Sequence, residues 1–232
     1  MISRWPCRSE ADLDTCPEPA IHSGASIIHR QMEMRPLTKE ALSLFESAFN
    51  PEEDVLTLVA DTIGGTVTAN GLWRIFGRSA PPPGIVQWNE PTLWKTHWGE
   101  LACDKTCIGE DIFGNQLVCI AKTPDLLIWD HESGSLFTLQ VPPDVALKAV
   151  LEHGIDWIEF YKNGSPGIAL HRLPDVPDTS HLHWTMPLVL GGAVDVNNTS
   201  IVERTRHLIG HAMLWQQVRD LPPGSQVIIK QS

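Results

Sequence analysis

Cys107-Ile108-Gly109-Glu110-Asp111-Ile112-Phe113-Gly114-Asn115-Gln116-Leu117-Val118 places two glycines around an acidic pair and then releases into an apolar run. Gly109 and Gly114 tolerate backbone angles that a Cβ would oppose, and Leu117, Val118 and Ile120 suit a buried strand. The stretch therefore predicts a tight turn feeding a strand at 117–121. Glu110 and Asp111 are adjacent, so an extended backbone sends them to opposite faces and makes them a poor acid-base pair. On this reading, the turn is a scaffold whose shape matters more than its chemistry.

Downstream, Leu126-Leu127-Ile128-Trp129 and Ser135-Leu136-Phe137-Thr138-Leu139 flank a polar loop, Asp130-His131-Glu132-Ser133-Gly134, which predicts a hairpin. Upstream, Gly71 to Gly77 gives a short β-rich run containing Trp73, and Trp94 and Trp98 stand at helical i,i+4 spacing as core tryptophans. Two helices are predicted before it. One starts at Thr38 with Ala41, Leu44, Phe45, Ala48 and Phe49 inward; the other follows Pro51, with Leu56, Val59 and Ile63 inward. Pro142-Pro143-Asp144 opens a further helix whose apolar residues are Val145, Leu147, Val150 and Leu151. Residues 165–187 read as an irregular crossing segment. Ser200 with Glu203 reads as the capping box of a last helix on which Ile201, Leu208, Ala212 and Trp215 form one stripe beside Ile209 and Met213.

Helices, then antiparallel strands, then helices give an α+β fold, a central antiparallel sheet flanked by helices with a C-terminal helical extension. The predicted organisation is a poorly ordered arm at 1–35, an α+β domain at 36–164 and an extension at 165–232 packed on the same domain. Met32 and Met34 precede the first element and mark an alternative start.

The chain has 232 residues, nine tryptophans and a formal net charge of −11, which argues against nucleic acid and favours a basic protein partner. No apolar run reaches the roughly 18 residues of a membrane span, and the N-terminus lacks a signal-like segment, so the expected location is cytoplasmic, away from membranes. Cys103-x3-Cys107 has no second cysteine pair to complete a zinc site.

The order of these pieces resembles the SUKH superfamily, which includes the yeast cell-wall assembly regulator and bacterial toxin-immunity proteins. Gly71-Leu72-Trp73-Arg74-Ile75-Phe76 is similar to its early strand, Gly109 through Gln116 to its glycine-rich motif, and Leu127-Ile128-Trp129-Asp130 through Gly134 to its following hairpin, covering roughly residues 38–162. The resemblance implies a non-enzymatic module that binds a protein partner, a basic toxin domain, and blocks it. Glu110, Asp111, Trp129, Asp130, His131 and Glu132 are then the expected partner surface, an exposed aromatic ringed by carboxylates, with no catalytic residue, cofactor or metal.

The competing reading is a small metal-dependent hydrolase. His207 and His211 lie four apart on the predicted last helix, and His181 or His183 offers a third ligand. Leu208 occupies the place where a zincin has its glutamate, so that particular template fails. Phosphate-loop, dinucleotide and nucleophile-elbow patterns are absent from the sequence.

Overall fold

The computed structural model describes residues 35–36, 39, 59, 61, 63–67, 72–78, 84–120, 126–138, 143–152, 175–222 and 224–227. The N-terminal arm and most of the two early helices lie outside these residues, though Val59 and Ile63 are seen buried as the sequence required.

Seven strands form one sheet in chain order: β1 (Arg35–Pro36), β2 (Thr66–Val67), β3 (Trp73–Ile75), β4 (Lys105–Asp111), β5 (Gln116–Ile120), β6 (Leu126–Asp130) and β7 (Ser135–Thr138). Among the described residues only β1 and β2 pair in parallel; the rest form an antiparallel meander. A second, two-stranded sheet joins β8 (Ser180–Trp184) to β9 (Thr199–Glu203), also antiparallel. Between the strands lie short helices α1 (Ile85–Trp88) and α2 (Glu100–Cys103), then α3 (Pro143–Glu152), and last α4 (Arg204–Val218). The fold is α+β, and the strand at 116–120 and the 126–138 hairpin stand where the sequence placed them.

The central strands are covered on both faces, which explains why β6 reads as a continuous apolar run instead of an alternating one. Leu117, Ile128, Trp73 and Ile75 enter one cluster with Leu147, Val150 and Leu151 of α3. Val118, Leu127 and Trp129 enter the other with Leu208 and Ala212 of α4. Trp94 and Trp98 belong to this second cluster, Trp94 stacked on Trp129 at 5.8 Å and Trp98 meeting it edge-on at 4.9 Å. Their backbone is a single 3-10 turn instead of an α-helix, so both rings reach Trp129 from a tight loop. The C-terminal extension packs on this core: the Trp98 indole donates to the Leu208 carbonyl at 3.0 Å.

Two sequence expectations change in the extension. Within the segment read as irregular, residues 180–184 form β8, whose Leu182 amide donates to the Ile112 carbonyl at 2.8 Å and anchors it to the glycine-rich turn. The last helix starts at Arg204, not after Ser200. Ser200 instead pairs with His183 across the small sheet. Glu203 is the cap, accepting from the Thr205 and Arg206 amides at 2.9 and 2.7 Å, and its charge suits the positive helix end.

Candidate metal centre

The β4–β5 turn is tightly built. Asp111 Oδ1 accepts from the Phe113 and Asn115 amides, both at 2.9 Å, and Oδ2 accepts from the Asn115 side-chain amide at 2.6 Å. Gly114 has φ +87°. A Cβ on it would stand 2.7 Å from His181 Nδ1 and 3.2 Å from His207 Nδ1, so glycine is required both by the backbone angle and by two imidazoles packed over it. Gly109 is required by proximity alone, since a Cβ there would meet the Arg74 carbonyl at 2.6 Å.

Those imidazoles belong to a buried group. His131, His207 and His211 offer ligand nitrogens that all lie within 4.8 Å of one another. His131 follows β6 in the hairpin loop, while His207 and His211 project from one face of α4 with ring centroids 4.8 Å apart, the i,i+4 geometry read from the sequence. His131 meets them edge-on at 4.9 and 4.7 Å. From β8, His181 Nδ1 sits 3.1 Å from His207 Nδ1, and His183, the partly exposed member, flanks His207 at 5.0 Å and His211 at 5.6 Å.

Beneath the histidines lies a fully buried charge nest. Glu110 Oε2 is 3.0 Å from His181 Nε2, and Oε1 is 2.6 Å from Arg204 Nε and 3.3 Å from Arg74 NH1. Arg204 also lies over the Trp88 ring at 4.4 Å, and Arg74 donates to the Ser180 and Pro177 carbonyls at 2.8 and 3.2 Å. Burial disfavours the Glu110 charge, but Arg204, His181 and Arg74 together outweigh it and hold the carboxyl well below the usual range. Burial pushes His181 below its ordinary value, against the pull of Glu110. Burial, reinforced by the neighbouring imidazoles, pushes His207 further down. A neutral imidazole is the form that ligates metal. Burial pushes the Cys107 thiol up to about 11, which removes it as a thiolate nucleophile.

The partner surface expected from the sequence is not on the outside. Glu110, Asp111, Trp129 and His131 are fully buried and Glu132 nearly so. Trp129 is held in the aromatic cluster, Glu110 pairs with two arginines, and Asp111 closes the turn. Asp130, partly buried, accepts from the Glu132 amide at 3.1 Å and the Ser133 hydroxyl at 2.9 Å, the ordinary bonding of a hairpin loop. Of the sequence-predicted ligands, His207 and His211 converge. His181 stands behind His207 instead of beside it, and His183 lies at the rim. His131, a surface residue on the sequence reading, is the third member; no short-range spacing links position 131 to 207.

No protein-family model and no curated protein matches the chain. A crystal structure of Atu4351 from Agrobacterium tumefaciens is similar with a TM-score of 0.48 and 11% identity, covering 78% of this chain and 83% of that one.

Proposed function

We propose that the chain is a metal-dependent hydrolytic protein whose centre is His131, His207 and His211. The observation that carries the reading is the convergence of three buried imidazoles from two distant segments, with no hydrogen-bond partner at His207 Nε2 among the described residues. Burying several imidazoles together is costly for each of them, and a shared divalent cation is the arrangement that offsets the cost. The donor set is all nitrogen, which suits zinc and its first-row neighbours. A tetrahedral ion holds such nitrogens about 3.4 Å apart, so modest ring rotation from the observed separation closes the site.

Three protein ligands leave a fourth position for water or substrate, the arrangement of catalytic rather than structural zinc sites. An ion there supplies a hydroxide near neutral pH and polarises a carbonyl or phosphoryl oxygen. The surrounding chain supplies Leu208 and Ala212, the apolar neighbours of the ligands on α4, packed in one cluster with Trp129, and His183 at the rim as a proton-exchanging group. The alternative of a partner-blocking immunity module retains the net charge of −11 as support, while five of the six residues expected to form its surface are buried.

The test is metal analysis of the full chain purified without chelator, followed by cobalt substitution. The expected result is one equivalent of a zinc-type ion, lost in His207→Ala and His211→Ala, and a tetrahedral cobalt spectrum that shifts on adding azide. A chain that neither carries nor takes up zinc or cobalt overturns the proposal. A cobalt spectrum indifferent to azide and pH overturns the hydrolytic part of it.

A further inference from the structure

The adjacent carboxylates of β4 end in two chains of contacts, and each chain stops at a different histidine of the centre. From Glu110 the order is Oε2, His181 Nε2 at 3.0 Å, then His181 Nδ1 to His207 Nδ1 at 3.1 Å. From Asp111 it is Oδ2, accepting from Asn115 Nδ2 at 2.6 Å, then Asn115 Oδ1 to His131 Nδ1 at 3.2 Å. The cross-strand pairs show why two neighbours serve two ligands. Glu110 pairs with Gln116 on the face that carries Trp129, whereas Asp111 pairs with Trp73 on the other.

The proton positions follow from donor and acceptor bookkeeping. A carboxylate 3.0 Å from His181 Nε2 repels a lone pair and so places the proton there. A neutral His181 then has a bare Nδ1, which accepts from His207 Nδ1–H and leaves His207 Nε2 as the nitrogen with the lone pair. On the second chain, Asn115 spends its amide on Asp111, so its carbonyl oxygen faces His131 and calls for Nδ1–H, again placing the lone pair on Nε2. Gly114 lies beneath both His181 and His207, and its missing Cβ is what lets the two imidazoles pack over the turn.

We infer that Glu110 and Asp111 are positioning residues of the metal centre, acting through His181 and Asn115 to fix the tautomers of His207 and His131 so that both present Nε2 to one ion. The inference rests on the metal reading given above, and it assigns a role to the acidic pair that turn geometry alone does not. Outer partners of this kind orient the ligand ring, raise its basicity and are worth about 10–100-fold in metal affinity.

The test has two arms on the full-length protein. In the metal-free wild type, nitrogen-15 NMR of the imidazoles reads the tautomers directly, and the expected result is Nδ1–H at both His207 and His131. In the second arm, zinc affinity is measured by chelator competition for wild type, His181→Leu and His181→Gln. His181→Leu is expected to weaken binding about 10–100-fold and to mix the His207 tautomers. His181→Gln keeps one donor toward Glu110 and one acceptor toward His207, and is expected to recover most of the affinity. Melting curves establish that each variant folds, and the wild-type NMR arm decides the tautomers if His181→Leu does not. Nε2–H at His207 in the wild type, or unchanged zinc affinity in a folded His181→Leu, overturns the inference. Wild-type protein with the expected tautomers but no affinity for zinc upholds the positioning chains and overturns the metal reading instead.

Discussion

Two buried clusters of rings lie on the same side of the sheet, and they are stabilised in opposite ways. Trp88, Trp94, Trp98 and Trp129 pack against one another at centroid separations of 4.9 to 5.8 Å, and large apolar area removed from water holds them there. The histidine group packs its rings as closely, 4.7 to 5.6 Å, but every ring carries polar nitrogens, and beneath it sit one carboxylate and two guanidiniums with almost no exposure. Aromatic packing is favourable at every step, whereas buried charges roughly break even at best and become strongly unfavourable when one partner is lost. A fold needs the first cluster for stability. It keeps the second at a cost, which agrees with the metal centre proposed for it.

The comparison is broken most severely from the charged side. Glu110→Ala leaves Arg204 buried without its carboxylate partner and Arg74 with only the half-exposed Asp178 at 4.0 Å, and is expected to cost about 3–5 kcal/mol, measured by denaturant unfolding. Trp129→Ala removes the ring shared by Trp94 and Trp98 and is expected to cost a similar 3–5 kcal/mol or so, but by opening a cavity. The two losses differ in pH dependence, because only the first involves a titrating group. Next in size is Gly114→Ala, expected to lose about 1–2 kcal/mol from the left-handed backbone alone. Its Cβ also meets His181, so zinc affinity should fall beyond what the stability loss explains.

Acidification separates the clusters without mutation. His207 and His181 have native values below the ordinary one, so the unfolded chain binds more protons once the pH drops below about 6.5, and stability of the metal-free protein falls from there downward. Glu110, also depressed, contributes stability that is complete above about pH 4.5 and is lost as the pH falls further toward its native value. Unfolding midpoints between pH 8 and pH 4 are expected to decline in that order. A flat profile contradicts the burial of neutral histidines. The smallest effect belongs to the exposed Arg78–Asp61 pair, where Asp61→Asn is expected to leave the midpoint unchanged within error.

Much of the local structure was legible. The glycine turn, the 126–138 hairpin, the buried Val118 and Leu117, the α3 stripe and the His207–His211 pairing follow from periods of two and 3.6 residues and from turn chemistry, all of which act over a few positions. The errors lie where a contact crosses the chain. Asp130-His131-Glu132 reads as an exposed polar loop because its neighbours in sequence are polar, yet α4 covers it. Thr199–Glu203 reads as a helix start because Ser200 and Glu203 have the right spacing, yet β8 pairs with it as a strand.

The sequence by itself determined an α+β chain with an aromatic core, a glycine-dependent turn ahead of the strand at 116–120 and two histidines sharing a helix face, although Gly109 to Asp111, read as part of that turn, belong to β4. These depend on steric and hydrogen-bonding preferences within a single turn or strand. Only the tertiary structure decided that Glu110, His131, His181 and His207 meet, since they come from four separate segments and their approach is set by how α4 and β8 close over the sheet. The same closure turned an acidic pair that looked like surface charge into two buried supports, because burial is a property of packing and not of any residue's neighbours in the chain.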